Sequence, residues 1–309
     1  IRAYPGPPPP PSATPFGRAA LQLKKEGLTV WIAASPNSWM QAETDGWRRV
    51  EPAAVQAVYD RYSSLSLAET YVALNSQTPD CPRGNPADLI RICTDKAATQ
   101  RALRDLPMPE ITTQPSQFKA QLANWGHGYL KPRFGGLGRG VQPVVPGDPL
   151  PAWGPGAVRG GREPTFLQRA ILPPNGFGSL CVRWLTQRNS DGTWLLLPPV
   201  ARVSKAAVAN VHLGAQALPA EDVLPPHALQ AAGDLVLAAA HRLTECSQGL
   251  VVELGVDLVF DSQFKAWIIE VNSRPSGRLS ALTARYPKRF SHLADAAVLR
   301  PLRTLAALL

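Results

Sequence analysis

The stretch "LVVELGVDLVFDSQFKAWIIEVNSRPSGR", residues 250–278, constrains this chain more than any other. Two apolar runs flank a polar turn at Asp261 to Phe264, which predicts an antiparallel hairpin. Ile268 and Val271 read as buried wall, whereas Glu270 and Asn272, two residues apart, share one face of a strand. A carboxylate and an amide on a buried face need a partner, because an unpaired buried charge is costly. The hairpin brings Asp257, itself flanked by apolar residues in "GVDLVF", across from Glu270. Three oxygen donors on one sheet face suit Mg²⁺, which keeps waters and shares phosphate oxygens. The same residues also read as two surface carboxylates and a strand-terminating Asn.

A second feature lies upstream. In "KPRFGGLGRGV", Gly135, Gly136, Gly138 and Gly140 follow a strand that carries Lys131. Glycines at this density let backbone N–H groups approach phosphate oxygens and let a loop fold down as a lid. The spacing is neither GxGxxG, since residue 141 is Val, nor a Walker loop, since no Lys-Ser/Thr follows. A flexible hairpin turn explains the glycines equally well. Basic residues in apolar settings form a third group: Lys96, Arg183 in "CVRWL", Arg202 in "PPVARVS", Arg274 and Arg278. Each is compatible with a surface charge on an amphipathic strand; beside an anion site they would neutralise a transferring phosphoryl group.

Residues 1–14, with the polyproline run Pro7 to Pro11, read as a linker or arm. Residues 15–92 read as a small α/β domain: "GRAALQLKKEG" is a helix stopped by Gly27, "LTVWIAAS" a buried strand, "AAVQAVYDRYSS" a strand carrying Tyr59, Asp60 and Arg61, and 75–86 a turn-rich exit. From 93 onward the order is helix with Thr94 as N-cap, short helix, strand, glycine loop, strand. A Pro/Gly-rich mobile loop at 148–164 comes next, then the strand "PTFLQRAI". The hairpin "CVRWLTQRNSDGTWLLLPPVARVS", the long helix "PHALQAAGDLVLAAAHRLTEC", the second hairpin and a helical C-terminus complete the chain. Antiparallel pairing in the second half without regular βαβ spacing gives α+β as the fold class.

Bulk properties narrow the function. With 309 residues, 45% hydrophobic and 18% charged, the chain is globular, and no apolar run approaches the roughly 20 residues of a membrane span. It starts with Ile and lacks a basic head followed by an apolar core, so a truncated or processed chain without signal peptide is expected. Cys81, Cys93, Cys181 and Cys246 are scattered, with no CxxC pair and no His at metal spacing, which suits free thiols and a cytoplasmic setting. A net charge of +9 and a pI of about 9.7 fit an anionic partner. The basic residues are dispersed, however, with no aromatic-plus-basic stripe, so nucleic acid is disfavoured. His127, His212, His227, His241 and His292 form no motif, and no Ser-His-Asp or Cys-His arrangement is evident.

The order of these signals is more telling than any one of them. Lys96, then Lys131 with its glycine loop, "FLQRAI", Arg202, Asp257, Glu270 and Asn272 together resemble the ATP-grasp superfamily. The closer resemblance is to the YheC/YheD branch, the endospore coat-associated ATP-grasp proteins, through Asp257 and "WIIEVNSRP" and through "VYDRY" and "LNSQTPD…TDKAATQRAL" upstream. It extends over roughly 12–305. The resemblance implies ATP and Mg²⁺ as cofactors, with two α+β subdomains clamping ATP, a smaller lid at 93–170 and a metal- and acceptor-binding part at 171–309. Lys96 and Lys131 match the lysines on the ATP phosphates, Gly135 to Gly140 the covering loop, and Gln168, Arg169 and Ile171 the strand that binds adenine, largely through its backbone. Asp257, Glu270 and Asn272 match the magnesium ligands. Arg202, Arg274 and Asn210 match positions facing the transferred phosphate and acceptor. Arg183, Ser273, Ser276, Gly277 and Arg278 match the substrate side.

Two departures stand out: Cys181 occupies a position that is often acidic, and Ser276 is inserted into a turn that is often Pro-Gly-Arg. The implied activity is ligation of a small-molecule or peptide carboxylate to an amine through an acylphosphate, without membrane or nucleic-acid partners. A spore-coat-type scaffold that keeps the fold without catalysis is the alternative.

Overall fold

The computed structural model describes residues 9–35, 38–51, 55–61, 76–78, 80–134, 139–150, 165–205, 215–275 and 279–307. The first helix, α1 (Pro15–Lys25), starts where the Thr14 hydroxyl accepts the Gly17 N–H and Pro15 sits in the first turn. It ends before Gly27, whose φ of +84° few other residues tolerate. Strands β1 (Trp31–Ser35), β2 (Ser38–Glu43) and β3 (Gly46–Val50) then form an antiparallel meander in that order. The expected buried strand over "LTVWIAAS" is therefore corrected: β1 is an edge strand, and Trp31 to Ala33 are only half-buried. The short β4 (Val58–Tyr59) pairs in parallel with β5 (Arg83–Gly84).

Two helices follow, α2 (Ala87–Thr94) and α3 (Lys96–Ala102). The N-cap between them is Asp95, not Thr94 as the sequence suggested. The Asp95 carboxylate accepts the Ala97 N–H at 3.0 Å, whereas the Thr94 hydroxyl turns back to donate to the Ile90 carbonyl at 2.7 Å. A carboxylate gains more than a hydroxyl from the positive end of a helix, and a threonine in a last turn readily bonds its own helix.

A small sheet comes next. It comprises β6 (Ile111–Thr112), β7 (Gly128–Pro132), β8 (Gln142–Val144) and β9 (Thr165–Arg169), ordered β6-β9-β7-β8 and antiparallel. Helix α4 (Phe118–Trp125) covers one face, packing Phe118 and Leu122 on Leu130, Val144 and Leu167.

The larger sheet contains β10 (Ser179–Arg188), β11 (Trp194–Leu196), β12 (Val200–Ser204), β13 (Gln216–Pro219), β14 (Glu253–Phe260) and β15 (Ala266–Asn272). Its order is β13-β12-β10-β14-β15, with β11 also on β10. The predicted "NSDG" hairpin forms, but Pro198 and Pro199 break its returning strand, so β11 and β12 pair with separate parts of β10. Helix α5 (Pro226–Glu245) lies across one face. Leu180, Val182 and Trp184 of β10 and Leu254, Val256, Leu258 and Phe260 of β14 meet Ala232, Val236, Ala239, Ala240 and Leu243 of α5. Each large side chain buried there contributes about 1.5–3 kcal/mol. Helices α6 (Ser280–Arg285) and α7 (Pro287–Ala306) close the chain, and Val298 and Leu299 of α7 pack on Ala19 and Leu23 of α1. Among the described residues no helix is long and apolar enough to cross a membrane.

Alternation in β10 and β14 fixes which side chains the other sheet face receives. With the even-numbered residues in the core, Cys181, Arg183, Glu253 and Asp257 fall opposite. In β15, strict alternation would put Ile268 on the same face as Glu270. A β-bulge resolves the conflict: Leu258 pairs with Ile268, Asp257 pairs with Glu270, and Ile269 is the extra residue between. Ile268 and Val271 are thereby both buried, as expected, while Glu270 joins the polar face.

Candidate functional site

One row of cross-strand neighbours defines the site. Arg183 on β10 faces Asp257 on β14, which faces Glu270 on β15. Arg202 on β12 faces Cys181, one pair along the same face. The Asp257 carboxylate is buried and held by two arginines. Arg183 Nε donates to Oδ1 at 2.8 Å and its Nη2 donates to Oδ2, while Arg202 Nη2 donates to Oδ1 at 2.6 Å. The Asn272 amide reaches Oδ2 at 3.4 Å. Burial alone would raise the Asp257 pKa, but Arg183 and Arg202 outweigh it and hold the group below the ordinary carboxylate range. Arg183 is pushed up in turn: burial opposes its charge, and Asp257 more than compensates.

Glu270 behaves in the opposite way. Burial, then repulsion by Asp257, raises its pKa, against the pull of Lys96, Arg183 and Lys131. Among the described residues the Glu270 carboxylate accepts no hydrogen bond.

The small sheet supplies the other wall. Lys131 on β7 donates to Gln168 Oε1 on β9 at 2.6 Å and lies 5.4 Å from the centre of the Tyr129 ring. Burial lowers its pKa to about 8, although Glu270 pulls upward. Lys96, first residue of α3, donates its backbone N–H to the Arg133 carbonyl at 3.1 Å, which ties α3 to the segment after β7. Among the described residues the cleft thus holds four cationic side chains, Lys96, Lys131, Arg183 and Arg202, against two carboxylates. That balance favours a polyanion, and a cation as well only if the polyanion brings it.

The donor set fits Mg²⁺. It consists of two carboxylates and an amide oxygen, all hard oxygen ligands. Glu270 is free of protein donors among the described residues and carries the open coordination sites, whereas each Asp257 oxygen already accepts two N–H groups and would join a cation by giving up one of them.

Not every expected residue turns its side chain into the cleft. Gln168 is buried and faces Lys131, but Arg169 is next along β9 and points away; its guanidinium pairs with Glu110 at 3.0 Å, largely exposed. Ile171 follows β9 and is half-buried. Ser273 is buried rather than presented at a pocket edge, and its carbonyl accepts from Asn85. Burial, with the Glu270 charge nearby, pushes the Cys93 thiol up to about 12, so it is no nucleophile at neutral pH. Cys181, also raised by burial, accepts from Arg202 at 3.2 Å, so the position often acidic in the resembled family is occupied by a neutral thiol. Gly140 adopts φ +71° beside Pro132. Gly135, Gly136, Gly138, Asn210, Ser276, Gly277, Arg278 and residues 151–164 of the predicted loop lie outside the described residues.

Sequence reading missed a second buried polar cluster. Glu253 is fully buried; Arg61 pairs with its Oε1 at 2.5 Å, Tyr59 donates to the same oxygen at 2.6 Å, and Gln187 donates to Oε2 at 3.0 Å. Arg300 of α7 donates to Gln187 Oε1 at 3.0 Å. The available signal was a lone carboxylate within the apolar run "LVVELGV".

Comparison with known proteins bears on the fold. Residues 177–296 match the family model described as YheC/D like ATP-grasp. None of the curated protein sequences matches. Among solved structures, the ATP-grasp ligase PsnB, complexed with a phosphomimetic variant of minimal precursor, Mg and ADP, superposes with a TM-score of 0.54 at 15% identity, over 95% of this chain and 96% of that one. The Campylobacter jejuni biotin carboxylase complex with β,γ-ATP gives 0.57 at 12% identity, over 80% and 54%. The Aspergillus clavatus N5-carboxyaminoimidazole synthase with ADP and 5-aminoimidazole ribonucleotide gives 0.50 at 14% identity, over 76% and 57%. The chain spans about half the length of the first solved structures it matches. At these identities the likeness establishes the ATP-grasp fold.

Proposed function

We propose, for a chain that belongs to the ATP-grasp superfamily in its YheC/D-like branch, that it is an ATP-dependent carboxylate–amine ligase. The carrying observation is the cleft between the two sheets, where Lys131 faces the Arg183–Asp257–Glu270 row. A carboxylate oxygen of one substrate attacks the γ-phosphorus of ATP and ADP leaves. The amine of the second substrate then attacks the acyl carbon, phosphate departs with the bonding electrons, and the amine loses a proton. The carboxylate is a small molecule or a peptide, and the acceptor an amine or amino acid.

Each residue has a role in this reading. Lys131 and Lys96 hold phosphate oxygens as point charges, Gly135, Gly136, Gly138 and Gly140 cover them, and Gln168 and Ile171 flank the base. Arg202 and Arg183 offset charge on the transferring group, a role that Asn210 shares in this reading. Asp257, Glu270 and Asn272 would hold Mg²⁺, which supplies charge neutralisation between phosphate oxygens when bound. Arg274, Ser276, Gly277 and Arg278 receive the substrate side. The division into 1–14, 15–92, 93–170 and 171–309 and a cytoplasmic setting belong to the same proposal. No protein nucleophile is needed, because positioning and charge carry the reaction.

The test is thermal denaturation with and without MgATP, on the wild type and on Glu270→Gln. A ligand at a hundred times its Kd adds about 2.7 kcal/mol. A shift in the wild type that shrinks in the variant supports the site, and ADP release with pooled carboxylates and amines then tests ligation. No shift in either protein favours the scaffold reading.

A further inference from the structure

The loop that leaves β15 is held in place by the first part of the chain. Ser273, Arg274 and Pro275 follow Asn272, the last of the proposed metal ligands, and residues from before position 92 hold all three. The Asn85 amide donates to the Ser273 carbonyl and, at 2.7 Å, to the Glu253 carbonyl. Asp60 accepts from Arg274 Nη2 at 2.7 Å, and the two side chains are 4% and 17% exposed. The Arg61 guanidinium spans the Glu253 carboxylate and the Pro275 carbonyl.

Local structure sets this contact up. β4 and β5 pair side by side, which brings Tyr59–Asp60–Arg61 and Asn85 to one edge. Asn85 adopts φ +64°, a left-handed conformation that asparagine tolerates better than most residues, and its Oδ1 accepts the Val252 N–H at 2.9 Å. On the other side Pro275 rests on Gly255, where any Cβ would come within 2.7 Å of the proline ring. Arg274 is thus the one basic side chain of this loop whose direction the described residues fix, and a carboxylate from another part of the chain fixes it. An ion pair with so little exposure is weakly screened and holds its geometry.

We infer that Asp60 is a positioning residue, which acts through Arg274 to set how the loop after β15 receives the carboxylate substrate. The inference rests on the ligase reading for its functional consequence. Arg61 and Asn85 hold the backbone of the same loop, so the segment 59–61 governs the substrate side and leaves the nucleotide wall of Lys131 and Gln168 untouched. Asp60 holds Arg274, whereas the nucleotide wall is tied together by Lys131 and Gln168 on the small sheet, so loss of the Asp60 charge is expected to spare nucleotide affinity.

The experiment uses the full chain as wild type, Asp60→Asn, Arg274→Gln and the double variant. Asparagine keeps the shape of Asp60 and removes its charge, which avoids the folding risk of truncation. Three quantities are read: affinity for a fluorescent ATP analogue with Mg²⁺, amide hydrogen exchange at Ser273 and Arg274, and steady-state hydroxamate formation from pooled amino acids with hydroxylamine as the amine. For Asp60→Asn the expected result is nucleotide affinity within about twofold of wild type and exchange at least about tenfold faster at those two amides. KM for the carboxylate pool rises with little change in kcat, and this effect disappears in the Arg274→Gln background. Unchanged exchange, a parallel loss of nucleotide affinity, or a full KM effect without Arg274 overturns the inference. If the wild type binds the nucleotide but forms no hydroxamate, the ligase reading fails, while the exchange result still decides whether Asp60 positions the loop.

Discussion

Two carboxylates on the same face of β14, four residues apart, have different surroundings. Glu253 is fully buried and closed: one guanidinium, one phenol and one amide satisfy its oxygens, and Gln187 passes the network on to Arg300. Asp257 is also buried between arginines, yet its cross-strand neighbour Glu270 lacks a donor among the described residues and carries a raised pKa. A carboxylate whose partners complete its bonding is part of the scaffold. A carboxylate beside a second one, under an excess of cations, keeps bonding capacity for something that is not protein. Burial and arginine pairing are common to both, so neither identifies a site; the unfinished balance does.

The largest effect expected from this comparison concerns the closed cluster. Arg61→Ala leaves Glu253 buried without its countercharge, which costs about 3–5 kcal/mol. Urea denaturation should show that loss. A loss below about 1 kcal/mol would mean that Glu253 is not held as described, and the contrast with Asp257 would collapse.

Next is the open cluster. At neutral pH the ionised Glu270 is unfavourable in the folded protein, because its folded pKa lies above the unfolded one. That cost is absent below the ordinary carboxylate range, grows as pH rises towards the raised value and is complete above it. Glu270→Gln should therefore raise the melting temperature of the ligand-free protein while weakening MgATP by about 10–100-fold, about 1.4–2.7 kcal/mol. Opposite signs for stability and binding mark a residue kept for a ligand. If the variant is destabilised and binds normally, Glu270 belongs with Glu253.

The site was legible in the sequence where side-chain chemistry and local order coincide. "DLVF…WIIEVN" gave both the hairpin and the Asp257–Glu270 pairing, because a tight turn fixes register. The bulge at Ile269 was not legible, since only the packing of Ile268 against the core reveals it. The Arg183–Asp257 pair was also out of reach. Arg183 and Asp257 lie 74 residues apart, and no local pattern states that β10 neighbours β14. The β2 and β3 strands were missed because "SWMQAE" and "GWRRV" alternate too weakly to stand out from loop. The Glu253 cluster was overlooked for a similar reason: Tyr59 and Arg61 were visible as residues, but their partner stands about 190 positions away.

A smaller effect separates the two walls of the cleft by pH. Lys131 is depressed to about 8 by burial, below its ordinary range near 10.5. Its charged form destabilises the folded protein below about pH 8, and that cost is relieved as pH rises from about 8 towards 10.5. Nucleotide binding runs the other way, because it needs the charge. MgATP affinity should fall by up to about tenfold between pH 7.5 and 9, about 1.4 kcal/mol, with proton uptake on binding. Calorimetry in buffers of different ionisation enthalpy measures that uptake, and Lys131→Arg, whose charge does not titrate, should flatten the profile. A flat wild-type profile would remove Lys131 from the phosphate site.

The smallest effect sharpens the comparison at its edge. Gln168 and Arg169 are consecutive on β9, and the resemblance assigns both to the nucleotide. Their side chains leave opposite faces of the strand: Gln168 is buried against Lys131, and Arg169 is exposed against Glu110. A surface pair of this kind contributes about 0–1 kcal/mol. Arg169→Ala should thus change stability by no more than about 0.5 kcal/mol and leave MgATP affinity within twofold, whereas Gln168→Ala removes the acceptor of Lys131 and should shift its titration. If Arg169→Ala weakens the nucleotide as much as Gln168→Ala does, the base lies on the outer face of β9, and the cleft between the two sheets would have to be redrawn around that face.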